Sequence, residues 1–223
     1  MHDMSASVTT VFRSMTESEK TYDLCLAAVK EDGMNLQWVP QAVMDAALCL
    51  EAVREYGFAL EFVPQHLLNP EICLCAVQND GCAICLLPNG VLTHDLCLAA
   101  VRNAGTALFF VPEILRDRQI CLAAVTSDGA ALEDVPVDLR DSEICGVAVC
   151  SRGTALQDVP VWLCDHELCA RAVAQDGMAL RYVPRGQRDL DMCLCAVRQN
   201  PGAKRYVPKP LCSQVMTALT REK

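Results

Sequence analysis

Cysteine offers this chain its widest choice of chemistry, with fifteen thiols in 223 residues. Thiols can cross-link, hold a soft metal or act as nucleophiles, and their spacing discriminates among these. Cys25, Cys49, Cys73, Cys97, Cys121, Cys145, Cys169 and Cys193 recur at a strict interval of 24. Equivalent points on neighbouring packed helices lie about 8–10 Å apart. A disulfide needs Cα atoms within ~7 Å, and zinc needs each sulfur at about 2.3 Å. Flanked by leucines on an apolar face, such a column reads as small core hydrophobes. Outside the column stand Cys75, Cys82, Cys85, Cys150, Cys164, Cys195 and Cys212. Cys82 and Cys85 form a C-x-x-C with no second pair to complete a zinc site, and Cys164, His166 and Cys169 cluster at a helix start but spend one member on the buried column. No metal site and no cofactor is assigned from these residues.

The remaining reactive residues make no catalytic pattern. His66, His94 and His166 fall at loop or N-cap positions, no serine or cysteine sits in a nucleophile elbow, and no glycine-rich phosphate loop is present. The expectation is a non-catalytic protein.

What positions all these residues is a repeat. Ala28 to Ala196 and Val29 to Val197 recur without exception three and four places after each column cysteine, and Pro40 to Pro208 recur at the same interval. A glycine follows eight places after the cysteine, from Gly33 to Gly177, and gives way only at Pro201. The unit reads D-x-x-L-C-L-x-A-V-x-x-D-G-x-A-L-x-x-V-P-x-x-L. Four places before the cysteine stand Thr21, Asp45, Asn69, Thr93, Asp117, Asp141, Asp165 and Asp189, all good N-caps. The glycine is expected at C′ with positive φ, ending a helix of 10–11 residues such as 22–32. The proline restricts its preceding valine, so A-L-x-x is expected to form a short 3-10 turn rather than a second long helix. Such a helix is marginal alone and needs its neighbours. The expected fold is therefore all-α: a single α-solenoid of eight repeats, each with one α-helix, a short 3-10 segment and a Pro-led turn, wound as a right-handed superhelix. The boundaries expected are a flexible leader over 1–20, the solenoid over 21–212, and a capping helix and tail over 213–223.

The unit resembles a bacterial tandem-repeat family, domain of unknown function 4116, over roughly residues 21–212. The resemblance implies an all-helical repeat and supplies no catalytic residues. The 24-residue period is also similar to the leucine-rich repeat variant, in which an α-helix alternates with a 3-10 helix.

Composition agrees with a packed protein: 52% of residues are hydrophobic and only 5% aromatic, so Leu, Val, Ala and Cys must build the interior. No apolar run approaches the ~20 residues that span a bilayer, and 1–20 lack a secretory apolar core. A cytoplasmic protein without membrane partners is expected, non-classical export as an effector remaining open.

Fixed columns build a solenoid's core, so binding is sought in the variable ones. The pair twelve and thirteen places after the cysteine runs from Gln37-Trp38, Glu61-Phe62, Cys85-Leu86 and Phe109-Phe110 through Glu133-Asp134 and Gln157-Asp158 to Arg181-Tyr182 and Arg205-Tyr206. Aromatics and arginine are favoured interface anchors. Trp38, Phe62, Phe109, Phe110, Arg181, Tyr182, Arg205 and Tyr206 are therefore the candidate partner-binding residues, with groove filling as the alternative. Charge is polarised as well: residues 165–223 carry a net +4 and the remainder −13. The first expectation is a scaffold for another protein, such as an effector, immunity or adaptor protein. The alternative is RNA or an acidic protein bound at the basic end, with Tyr182 and Tyr206 as stacking groups, and a metal-binding or enzymatic protein comes third.

Overall fold

A computed structural model describes residues 8–221. The chain forms two compact units, Met1–Pro112 and Glu113–Lys223. Among the described residues both are all-α and built as solenoid stacks. The first holds α1 (Val8–Ser14), α2 (Tyr22–Glu31), α3 (Ala46–Glu55), α4 (Pro70–Asn79) and α5 (His94–Asn103). The second holds α6 (Arg118–Ser127), α7 (Ser142–Ser151), α8 (His166–Gln175), α9 (Leu190–Gln199) and α10 (Lys209–Arg221).

Each of α2 to α9 has ten residues and is followed by a 3-10 helix of five or six, such as Gly57–Phe62 or Gly153–Asp158. An extended valine follows, such as Val63 at φ −75 and ψ 119, and a proline opens the turn to the next helix. Seven of the expected caps accept a first-turn N–H through the side chain, Asp45, Asn69, Thr93, Asp117, Asp141, Asp165 and Asp189, and Thr21 does not. The core of each unit is made of the invariant columns: the eight period cysteines are 0–3% exposed and the alanines 0%.

The repeated glycine corrects the sequence reading. No described glycine has positive φ, so none is a left-handed cap. Its role is close approach. A Cβ at Gly81 would stand 2.3 Å from the Ala100 carbonyl oxygen, and one at Gly153 2.3 Å from that of Ala172. Gly33, Gly57, Gly129 and Gly177 show the same close approach, so these six glycines pack their backbone on the invariant alanine of the next helix. The glycine N–H is used too: Gly57 donates to Asn79 Oδ1 at 2.7 Å, Gly81 to Asn103 Oδ1 at 2.7 Å and Gly153 to Gln175 Oε1 at 2.5 Å. The same amides donate back, Asn79 to the Arg54 carbonyl at 2.8 Å and Gln175 to that of Ser151 at 3.0 Å. One side chain therefore brackets two successive repeats.

The 3-10 helices end in carbonyls that need donors, and in the second unit arginines supply them. Arg140 donates to the carbonyls of Val135 (2.9 Å), Asp158 (2.6 Å) and Glu133 (3.1 Å). Arg188 repeats this with Val183 (2.9 Å), Tyr206 (2.7 Å) and Arg181 (3.1 Å).

The ends differ from expectation. Part of the segment read as a flexible leader over 1–20 is helical and packed. Phe12 of α1 is buried, and Lys20 lies 4.9 Å over its ring while donating to the Trp38 carbonyl at 2.9 Å. Asn35, where other repeats have alanine, is buried and donates to Thr9 Oγ1 at 3.0 Å. Residues 1–7 of that leader, and 222–223 of the tail, lie outside the described residues. The closing helix starts at Lys209 rather than 213, since Pro210 is compatible with a first turn and the chain runs helically through the usual cap position, Ser213.

Candidate functional site

The variable pair ends each 3-10 helix, so the local fold that buries Ala and Leu of A-L-x-x aims the two following residues outward. In the first unit Trp38 is 42% exposed, Phe109 64% and Phe110 39%, whereas Phe62 is half-buried. Phe109 and Phe110 meet edge to face with centroids 5.2 Å apart at 85°. Phe109 and Phe110 thus project as an exposed apolar pair, and Phe62 is the more covered member of the column.

In the second unit the row of 3-10 ends changes character along the stack. Asp134 and Asp158 come first, and loss of hydration on burial raises both carboxyls above the usual range despite the nearby Arg140. Arg181 and Arg205 follow, each lying over the ring of its own neighbour, Tyr182 at 4.6 Å and Tyr206 at 4.9 Å. The structure brings Arg181, Arg205 and Tyr206 to one concave site of about 550 Å³, walled also by Arg185, Arg188, Val207, Pro208, Lys209 and Pro210. No carboxylate lines it. Tyr182 stands outside the wall as the platform for Arg181.

The thiol candidates do not converge. Desolvation pushes Cys49, Cys121 and Cys145 up to about 11 and Cys169 to about 12, values that leave them protonated. Cys82 is half-buried with Thr106 Oγ1 at 3.9 Å from its sulfur, and Cys85 is exposed. Cys164 is buried, with the Val159 carbonyl oxygen 3.8 Å from its sulfur, whereas exposed His166 pairs through Nε2 with Asp189 at 2.6 Å. Among the described residues no three His, Cys, Asp or Glu side chains are grouped to hold a metal ion.

Residues 47–90 and 94–140 match the family model described as Domain of unknown function (DUF4116). These two segments are DUF4116 repeats. No curated protein and no solved structure matches the chain. The DUF4116 segments cover α3 to α6 and run on to Arg140, and the columns that define them continue in the same register through α9.

Sequence reasoning overlooked two surface features. The Pro-led turns of the second unit expose Ile114 (93%), Val137 (59%), Val161 (78%) and Trp162 (76%), and their only signal was large apolar residues in columns that elsewhere hold polar or small ones. An apolar groove of about 450 Å³ in the first unit, between α4 and α5, is lined by Leu68, Pro70, Leu74, Val91 and Leu96. Among the described residues no helix is long and apolar enough to cross a membrane.

Proposed function

We propose that the chain is a non-catalytic scaffold that binds another protein along the exposed ends of its 3-10 helices. The observation carrying this reading is the exposure of Trp38, Phe109 and Phe110 on short 3-10 elements whose own core is supplied by other columns, Leu36 in one and Ala107 and Leu108 in the other. Aromatics held rigidly at a surface lose little conformational freedom on binding, which favours them as anchors. The buried column thiols, raised by desolvation and held protonated, are suited to packing rather than to nucleophilic chemistry. Fifteen unpaired cysteines suit a reducing compartment, and we place the scaffold in the cytoplasm.

Affinity capture with the full chain tests the reading. It should recover a defined protein that the double variant Trp38→Ala, Phe110→Ala releases. Undiminished capture by that variant would remove the aromatic strip from the interface.

A further inference from the structure

The basic concavity at the end of the second unit is not explained by the aromatic strip. We infer that it binds an extended acidic segment of a partner protein, through guanidinium–carboxylate pairing. This deepens the scaffold reading and rests on it.

Five cationic side chains, Arg181, Arg185, Arg188, Arg205 and Lys209, face one space of about 550 Å³ without an acidic residue in its wall. Surface cations are ordinarily interspersed with carboxylates, as Arg118 is with Asp141 and Glu143 in this same unit. Gathering five without one raises the local potential, and an anionic ligand relieves it. The groups are also held in place. Arg188 spends three N–H bonds on the carbonyls of Val183, Tyr206 and Arg181, which fixes the two 3-10 ends that carry the neighbouring cations. Arg181 and Arg205 are each laid on a tyrosine ring, which leaves the guanidinium edge as the open donor fork. A planar fork held at its face is suited to bidentate carboxylate recognition.

Two observations favour an acidic peptide over RNA. Single-stranded RNA recognition relies on aromatic faces free to stack bases, and here each tyrosine ring already carries a guanidinium. The concavity is also short: the same row of 3-10 ends carries Asp158 one repeat before Tyr182 and Glu133 and Asp134 two repeats before, which would repel a continuing polyanion. The ligand is thus acidic only over the stretch facing the last two repeats.

Fluorescence anisotropy on the full chain tests this with two labelled probes, a decapeptide rich in Asp and Glu and an oligouridylate of the same length. The peptide should bind at low salt and weaken as salt rises. Arg181→Gln with Arg205→Gln should weaken it about tenfold or more, since each removes a charged partner from a carboxylate. Lys30→Gln with Arg102→Gln, an equal change of net charge in the first unit, should leave binding unchanged. The mutated arginines are exposed, and an unaltered melting temperature checks that the variants fold. Absence of peptide binding at low salt, equal loss in both variants, or tighter binding of the RNA would each overturn the inference. None of those results bears on Trp38 and Phe110, so the aromatic strip stands or falls separately.

Discussion

Replacing Gly153 with alanine separates a glycine needed for its backbone conformation from one needed for its missing side chain. The glycine has no positive φ, so alanine is conformationally acceptable there and, taken alone, would stabilise by about 0.4–1 kcal/mol through the unfolded chain. The space is another matter. The new Cβ would lie 2.3 Å from the Ala172 carbonyl oxygen and 2.9 Å from both Asp176 N and Gln175 Oε1. Two of these are backbone atoms of α8 and its cap, so relief requires moving a helix about 1 Å against its own core. Overpacking of this kind costs about 1–3 kcal/mol, and the strained Gly153–Gln175 hydrogen bond adds about 1. The net expectation is a loss of about 2–3 kcal/mol, or a melting temperature lower by about 5–10 °C. Gly186 provides the control, because a Cβ there meets nothing within 4 Å, and Gly186→Ala should be neutral or slightly stabilising. Urea and thermal unfolding followed by circular dichroism read both variants. Gly153→Asn completes the set: a left-handed glycine would tolerate asparagine, whereas a contact glycine tolerates it no better than alanine. A Gly153→Ala protein as stable as the parent, or an asparagine variant more stable than the alanine one, would refute the close-approach account.

Two further outcomes follow from the titrating groups. Asp189 is held below the usual carboxylate range, first by the Met192 N–H and then by His166, so its stabilisation is complete above about pH 4 and is lost as pH falls through the lower folded value. Asp189→Ala should therefore cost about 1 kcal/mol at pH 7 and distinctly less at pH 2.5 in urea titrations, and an equal cost at both would contradict the assignment. Cys169, with its thiol pushed up to about 12 and none of it exposed, should resist iodoacetamide at pH 8 while the exposed Cys150 and Cys195 react. Mass spectrometry of the native protein would show comparable labelling of Cys169 and Cys150 if this burial were wrong.

The elements were legible because each column of the repeat answers to one local rule: cap, apolar face, proline. The thiol column could be read as core for the same reason, since period and flanking leucines set its direction. Gly33 and its equivalents were misread because a glycine after a helix has a local explanation, and the true one involves the carbonyl of the next repeat, 19 residues on (Gly33 to Ala52). Arg188 was visible only as one of several basic residues. That it clamps three carbonyls, while Arg181 and Arg205 share a cleft, depends on distances between successive 3-10 ends that no single column encodes. Trp162 and Ile114 escaped notice because the turn that displays them holds polar or small residues in most copies.

The amide bracket has a consequence for how such a chain emerges from the ribosome. Gly57, Gly81, Gly153 and Gly177 each carry an N–H whose acceptor lies 22 residues downstream, so a repeat just synthesised holds one open donor until the following helix is made. Growth is in that sense sticky at its leading edge, recruiting the next copy and leaving a nascent end that could seize a helix from another chain. Pro201 occupies the glycine position after α9 and has no N–H to offer. The last full repeat therefore has no donor of this kind left open, and α10 stacks on α9 without such a bracket.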